Sequence, residues 1–449
     1  MFERLKFFFT VFDNRFEDFQ GSNWRSIVYR DFSAGLIVAL TAIPMAMGFA
    51  IASGLRPEQG IIAGAVACLV GRTFGGSKYQ VYGPTAAFIP VIAGVMAKYG
   101  ESGGGTFAAG HGFLVLASIV AGVVLVAMGI FGLGRFARYV PNSIVVGFTI
   151  GIAIVIALSN AGEAFGIKLP LKGGMITKLQ VIFSQIGSAN WYAFALAAFT
   201  FVVTKSLLRI SVFIPAPLIA MGLATWLSLT LLTDKNITTV SDRFGQIPNH
   251  FFVLTFPSIP GWETGILLDL IYIAAAIVFV SAVESLLCSS MADRLAENRK
   301  TPFHPDKELW GQGLVQIVTP LLNGFPCTGA LARTATSIKA GAVTPLAGYF
   351  KGILKLIIAY FLASYLEMVP MACIAGILLW VASNMIKPKE VREVLKEGGL
   401  HAFIMLFTAI MVPLTDFLTG VLSALILYAV LVFLLKRRQM QPTGTDIPR

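Results

Sequence analysis

The stretch 109–131 contains no Asp, Glu, Lys or Arg, and comparable apolar runs recur from residue 33 to residue 436. The hydrocarbon layer of a bilayer is about 30 Å thick, which a helix of roughly 20 apolar residues crosses. Backbone in that layer must satisfy its own hydrogen bonds, so a chain built of such runs folds as a bundle of helices. Hydrophobic residues make up 56% of the 449 and charged residues only 13%, about half the charged share of an average soluble domain. The predicted spans cover 33–52, 60–75, 84–98, 109–131, 140–158, 187–205 and 214–233, then 265–291, 308–323, 326–340, 343–363, 369–385, 399–413 and 415–436. The expected fold is an all-α polytopic membrane protein with fourteen transmembrane segments in two sets of seven.

The segments between and around the spans set the domain organisation. Residues 1–30 mix Arg4, Lys6, Arg15, Arg25 and Arg30 with seven phenylalanines, which reads as an amphipathic cytoplasmic segment on the membrane surface. Residues 31–233 form the first set, 234–264 an external connection, 265–436 the second set and 437–449 a cytoplasmic tail. The net charge of +11 does not point to nucleic acid, because most of the 34 Lys and Arg fall on one side of this topology. That asymmetry places both termini in the cytoplasm, with the protein in the inner membrane if its source is bacterial. Cys68, Cys288, Cys327 and Cys373 stand singly in apolar segments and read as structural thiols, while His111, His250, His304 and His401 are scattered at span ends or in loops. No phosphate-binding loop, zinc-protease, paired-cysteine or nucleophile-elbow pattern occurs, so no enzyme activity, metal or cofactor is expected.

The two sets share a weak repeat. Val140-Pro-x5-Gly147 and Val369-Pro-x5-Gly376 each open the fifth span of a set, and the third span of each set is short and begins at a proline, Pro84 or Pro326. Seven spans per set is odd, which makes the sets an inverted repeat, and short proline-opened segments at matching places point to a midplane site. Two half-helices meeting there, the third and tenth spans, would aim unpaired N–H groups and positive dipole ends at a small anion. Thr85 and Thr328 are candidate hydroxyl donors, and Arg333, on nearly the same helical face as Pro326, brings positive potential to the site. Glu284 is the acidic residue well inside a span, with Ser281, Ser285 and Cys288 on its helical face. Two readings stay open for it: reversible protonation coupled to anion binding, or a permanent bridge to Arg333 that ties two helices together. Phe49, Tyr82 and Phe88 are candidates for an apolar wall, Phe49 foremost, and Asp31 and Asp416 read as caps at span ends.

These residues resemble a known family. Asp31-Phe-Ser-Ala-Gly-Leu, Ile43-Pro-Met-Ala-Met-Gly-Phe-Ala-Ile-Ala-Ser-Gly-Leu55, Gly83-Pro-Thr-Ala-Ala87, Val283-Glu-Ser-Leu-Leu-Cys288, Glu308-Leu-Trp-Gly-Gln-Gly313 and Ala332-Arg-Thr-Ala335 occur in that order. Together they resemble the SulP family of sulfate permeases and anion exchangers. The resemblance implies core and gate subdomains, an elevator-like movement of the core, and an anion held between the third and tenth spans. It places Phe49, Thr85, Ala86 and Ala330, Leu331 and Ala332 on binding positions, Arg333 beside the anion, and Glu284 at the coupling-ion position. Sodium-coupled bicarbonate relatives carry an aspartate there and a hydroxyl four residues on, where this chain has Glu284 and Cys288; the difference favours H+ over Na+. Family members usually end in a cytoplasmic STAS domain, which this sequence is not expected to contain; a homodimer remains compatible with the resemblance.

The function expected from all of this is secondary active transport of a small inorganic or carboxylate anion, sulfate or bicarbonate first and dicarboxylate or chloride next, by proton symport. The competing expectations are a sodium-coupled bicarbonate symporter, an uncoupled exchanger or channel on the same scaffold, and a nucleobase symporter, to which Arg333 in a small-residue segment is ill suited.

Overall fold

Small residues decide how closely these helices approach. A computed structural model describes residues 2–20, 23–135, 141–167, 175–248 and 252–439; Val140, His250 and residues 440–449 of the expected tail lie outside the described residues. A short helix α1 (Phe2–Phe9) and a 3-10 turn (Asn14–Gln20) precede α2 (Trp24–Ala52) and α3 (Pro57–Phe74). Strand β1 (Tyr82–Gly83) and a 3-10 turn (Ala86–Phe88) lead into α4 (Ile89–Tyr99), followed by α5 (Phe107–Ile130), α6 (Asn142–Ala164), α7 (Met175–Gln185), α8 (Trp191–Ile210), α9 (Ala216–Leu231) and α10 (Val240–Phe244). The second half runs α11 (Thr264–Leu295), α12 (Pro305–Leu321), β2 (Thr328–Gly329), α13 (Leu331–Lys339), α14 (Leu346–Glu367), α15 (Met371–Met385), α16 (Pro388–Lys396), α17 (Gly399–Leu414) and α18 (Phe417–Gln439). Among the described residues, eight helical stretches are long and apolar enough to cross a membrane, and the shorter apolar stretches 86–99, 216–231 and 399–414 accompany them.

The helices pack as two groups. In one, α5 lies along α12, α14 along α2 and α3, and α11 against α5, with α4 and α13 inside. In the other, α6 packs on α15 and α17, α8 on α9 and α15, and α17 on α18. The α5–α12 crossing shows why glycine is required. A Cβ on Gly122 would lie 2.7 Å from the Gly313 carbonyl oxygen, and one on Gly313 would lie 2.6 Å from that of Gly122. Small residues at both positions let the backbones touch, the usual device of helices in lipid.

Three expectations are corrected. The prolines do not open the short helices. Thr328–Gly329 pairs antiparallel with Tyr82–Gly83, so the residues after Pro326 are extended and α13 starts at Leu331, while α4 starts at Ile89 behind its 3-10 turn. These two strands are also the exception to an all-α fold. Asp31 does not cap its own helix, since α2 already begins at Trp24. Its buried carboxylate accepts from the Val343 N–H at 2.6 Å and the Thr344 hydroxyl at 2.5 Å, closing the turn that enters α14. Asp416, by contrast, accepts from the N–H groups of Leu418 and Thr419 and caps α18.

The N-terminal segment docks on protein. Phe8 is buried and stacks on Trp310 at 5.2 Å, and Phe7 meets His304 edge-on at 4.8 Å. Arg15 donates to the carbonyls of Arg72 and Gly75, and Lys307 pairs with Asp13 at 2.6 Å. Burial pushes the Asp13 carboxyl up, but the bond and charge of Arg15, with those of Lys307, outweigh it and hold the group below its ordinary 3.8.

Candidate functional site

The short strands place the two loops side by side. Tyr82 faces Gly329 and Gly83 faces Thr328. The ladder extends through Ala330, whose N–H donates to the Val81 carbonyl at 2.9 Å, and through Val81, whose N–H donates to the Thr334 hydroxyl at 2.9 Å. The N-terminal turns leading into α4 and α13 therefore lie against one another, with their first-turn N–H groups short of helical partners.

Arg333 is 5% exposed, and its Nη2 donates to the Pro84 carbonyl. Its Nη1 is buried without a hydrogen-bond partner. A buried guanidinium nitrogen left unpaired costs on the order of 1–3 kcal/mol or more, so the place it faces suits a negatively charged acceptor. Gly83 makes room for it: its φ is +156°, and a Cβ there would lie 3.0 Å from Nη1. Thr85 donates its hydroxyl to Glu284 Oε2 at 3.0 Å. Glu284 and Arg333 make no direct ion pair; each is engaged with the β1–α4 loop instead.

The remaining sequence-predicted residues divide. Ala86 and Ala330 are buried beside the loops, Leu331 is half-buried and Ala332 exposed, so the site has an open side at the first turn of α13. Phe49 is buried in the same hydrophobic cluster as Ala86, Ala87 and Phe88. Thr328 points away, its hydroxyl donating to the Ser281 carbonyl at 3.4 Å. Ser281 itself accepts from Gln316 at 2.6 Å, and Cys288 lies 3.3 Å from the Thr334 hydroxyl; among the described hydrogen bonds, neither is bonded to Glu284. Ser281 thus ties α11 to α12, and Cys288 ties it to α13. Among the described residues, no cluster of three or more His, Cys, Asp or Glu is arranged to hold a metal.

Sequence reasoning missed two buried features. Glu308 is fully buried and accepts from the N–H groups of Gly76 and Ser77 at 2.9 and 3.0 Å, Gln80 at 2.7 Å, Tyr82 at 2.7 Å and Ser285 at 2.6 Å. Lys351 and Lys355 are buried against α3 and β1. Two lysines four residues apart inside the span predicted for 343–363 were the available signal. A cavity of about 400 Å³ lies against α6, α8 and α15, and one of about 250 Å³ lies between α2, α4 and α6; both are lined by Glu163, Ile167 and Arg243, and neither lining includes a residue of the paired loops.

A family model, the Sulfate permease family, matches residues 28–408. The chain belongs to that family. Among its sulfate permease relatives, the "Putative sulfate transporter YvdB" of Bacillus subtilis is 34% identical over 420 residues, 93% of this chain and 76% of that protein. The "Bicarbonate transporter BicA" of Picosynechococcus sp. is 28% identical, over 86% of this chain and 67% of that one. Two solved structures share the fold: the transmembrane domain of a cyanobacterial BicA, with a TM-score of 0.76 at 24% identity over 88% of this chain and 97% of that one, and SLC26A9, with a TM-score of 0.79 at 18% identity over 92% and 66%. The chain is thus an integral membrane protein whose relatives are transporters and not enzymes.

Proposed function

We propose that the chain is a secondary active transporter of small anions, sulfate or bicarbonate first and dicarboxylate or chloride next, working as a proton symporter. The carrying observation is the buried, unpartnered Nη1 of Arg333 at the junction of the two paired loops. An anion seated there completes the guanidinium's hydrogen bonding and meets the positive ends of α4 and α13. Glu284, tied to the same loop through Thr85 and with no other donor among the described hydrogen bonds, is the group that takes up the symported proton. Proton uptake removes a negative charge beside the anion, which couples the two bindings.

The two packing groups support a reading of alternating access. The group of α2–α5 and α11–α14 is the moving core and carries the whole site; that of α6, α8, α9, α15, α17 and α18 is the gate. In this reading the fourteen spans form a seven-plus-seven inverted repeat, α4 and α13 are half-helices meeting near mid-membrane, and the core travels as an elevator between the two faces. Both termini are cytoplasmic, and in a bacterium the membrane is the inner one. A homodimer is compatible with the gate's free outer surface. The second reading is a sodium-coupled bicarbonate symporter, favoured by the likeness to BicA; the sulfur of Cys288 facing Thr334 disfavours it, since hard cations take oxygen ligands.

Uptake of labelled sulfate and of labelled bicarbonate into proteoliposomes, with an inward proton gradient, an inward sodium gradient or neither, tests the proposal. Proton-driven, saturable accumulation of either anion supports it; accumulation driven by sodium alone replaces H+ with Na+, and no saturable flux overturns it.

A further inference from the structure

Between the end of α12 at Leu321 and the start of β2 at Thr328, the chain runs without helix or ladder, and Asn323 takes a left-handed φ of +63°. A residue other than glycine stays in that region only where its surroundings hold it. Two buried side chains do so. His111, near the start of α5, lies with Nε2 2.9 Å from the Gly324 carbonyl oxygen. Gln59, in the first turn of α3, donates from Nε2 to Asn323 Oδ1 at 3.0 Å. The two side chains are 3% and 1% exposed, and neither has a part in the transport proposal.

The main-chain partners fix where the hydrogens of this cluster lie. A carbonyl oxygen can only accept, so His111 Nε2 carries a hydrogen to Gly324 and Nδ1 is left as an acceptor. Gln59 Nε2 lies 3.3 and 3.2 Å from the Nδ1 and Nε2 of that ring, and Nδ1 is the one free to accept from it. The Gln59 carbonyl oxygen accepts from the Arg56 N–H at 3.0 Å, which turns its NH2 group toward His111 and Asn323. Imidazole and amide together pin the turn to the starts of α5 and α3. Further along, Gln312 and Gln316 donate to the Cys327 carbonyl at 2.5 and 2.8 Å, and Gln316 accepts from the Cys327 N–H at 3.3 Å. The segment is thus held at Asn323–Gly324, at Cys327 and then along β2, directly ahead of the turn that presents Arg333.

We propose that His111 is a positioning residue for the anion site: through its bond to Gly324 it sets where β2, the first turn of α13 and Arg333 stand, without touching the ion. The inference rests on the transport reading and deepens it. Glu308 holds the loop ahead of β1 at one pair of ends of α3 and α12, and His111 with Gln59 holds the loop ahead of β2 at the opposite ends of the same two helices.

Two readouts test it in proteoliposomes: uptake of labelled sulfate and labelled bicarbonate, and maleimide labelling of Cys327, fully buried in the held segment. Uptake uses the otherwise unaltered chain; labelling uses a chain whose other cysteines are replaced (Cys68→Ala, Cys288→Ser, Cys373→Ala). His111→Phe keeps a ring and loses the donor. It is expected to raise KM about tenfold for whichever of the two anions the wild type takes up, the scale of one buried hydrogen bond, with the maximal rate little changed. Labelling of Cys327 is expected to speed up by a similar factor. His111→Gln, whose amide N–H still reaches Gly324, is expected to return KM and labelling toward their starting values, whereas a ring that merely fills space gives the opposite order, Phe mild and Gln severe. Asn323→Gly suits the left-handed backbone and removes only the acceptor for Gln59, so it folds and shows the same changes on a smaller scale. A folded His111→Phe protein with unaltered KM and labelling overturns the inference; if that variant does not fold, unaltered KM and labelling in Asn323→Gly overturn it. A wild type that takes up neither anion removes the transport reading, and labelling alone then decides whether His111 fixes the loop.

Discussion

Glu308 and Glu284 are carboxylates buried within the same helix group, yet the protein treats them in opposite ways. Five donors from α3–β1 and α11 converge on Glu308, including two main-chain N–H groups and the Tyr82 hydroxyl, while among the described hydrogen bonds Glu284 receives one, from Thr85. A carboxylate saturated with donors has its charge fully solvated by protein and holds the surrounding chain in one arrangement. One with a single hydroxyl donor keeps room for a proton or for a change of partner. The first is an anchor for the loop that leads into β1, and the second is the group to which the transport proposal gives the coupled proton.

Substitutions break or sharpen that contrast in graded steps. The largest effect is expected from Glu308→Ala, which strands the Gly76 and Ser77 N–H groups and the Tyr82 hydroxyl in the interior. A loss of about 3 kcal/mol or more is enough to abolish a monodisperse peak in size-exclusion chromatography, and a stable, active Glu308→Ala protein would erase the distinction. Arg333→Ala removes the guanidinium at the loop junction and is expected to weaken anion affinity by about ten- to a hundredfold, the value of a charge-assisted hydrogen bond. Isothermal titration with sulfate measures it, and wild-type affinity would contradict the role given to Nη1. Glu284→Gln, in contrast to Glu308→Ala, should leave folding intact and anion exchange measurable while proton-driven accumulation disappears; accumulation that persists would take Glu284 out of the coupling step. The smallest effect concerns the docked N-terminal segment. Asp13 titrates below its ordinary 3.8 when docked, so its contribution is complete above that pH and is lost as pH falls through the lowered value. Asp13→Asn should therefore cost less than about 1 kcal/mol near neutral pH and remove the acid-induced release of residues 2–20, followed by limited proteolysis.

Much of the architecture was legible because lipid leaves few choices. Apolar runs had to be helices, and the recurrence of short proline-opened segments singled out the two loops that meet. What could not be read was how they meet. Tyr82-Gly83 and Thr328-Gly329 are too short to carry strand periodicity, and their pairing exists only because α3 and α12 bring them together. The same holds for the side chains. Arg333 and Glu284 stood out as charges in apolar surroundings, and both reach the β1–α4 loop. Ser281 and Cys288 were grouped with Glu284 by helical spacing, but spacing cannot tell a face turned to a cavity from one turned to Gln316 or Thr334. Glu308 escaped notice because it opens a span next to Lys307 and so looks like a charge at the membrane edge.

The four-residue ladder between the loops has a mechanical consequence. Separating β1 from β2 would strip partners from the main chain of Val81 and Ala330 and pull Thr334 from its bond, and all three residues are buried. The two loops are thus stitched into a single plate, and in the proposed transport cycle an ion lodged on it would ride with both halves at once. Any displacement of that plate must come from sliding at its rim, where α2 meets α15 and α9, and not from its own seam.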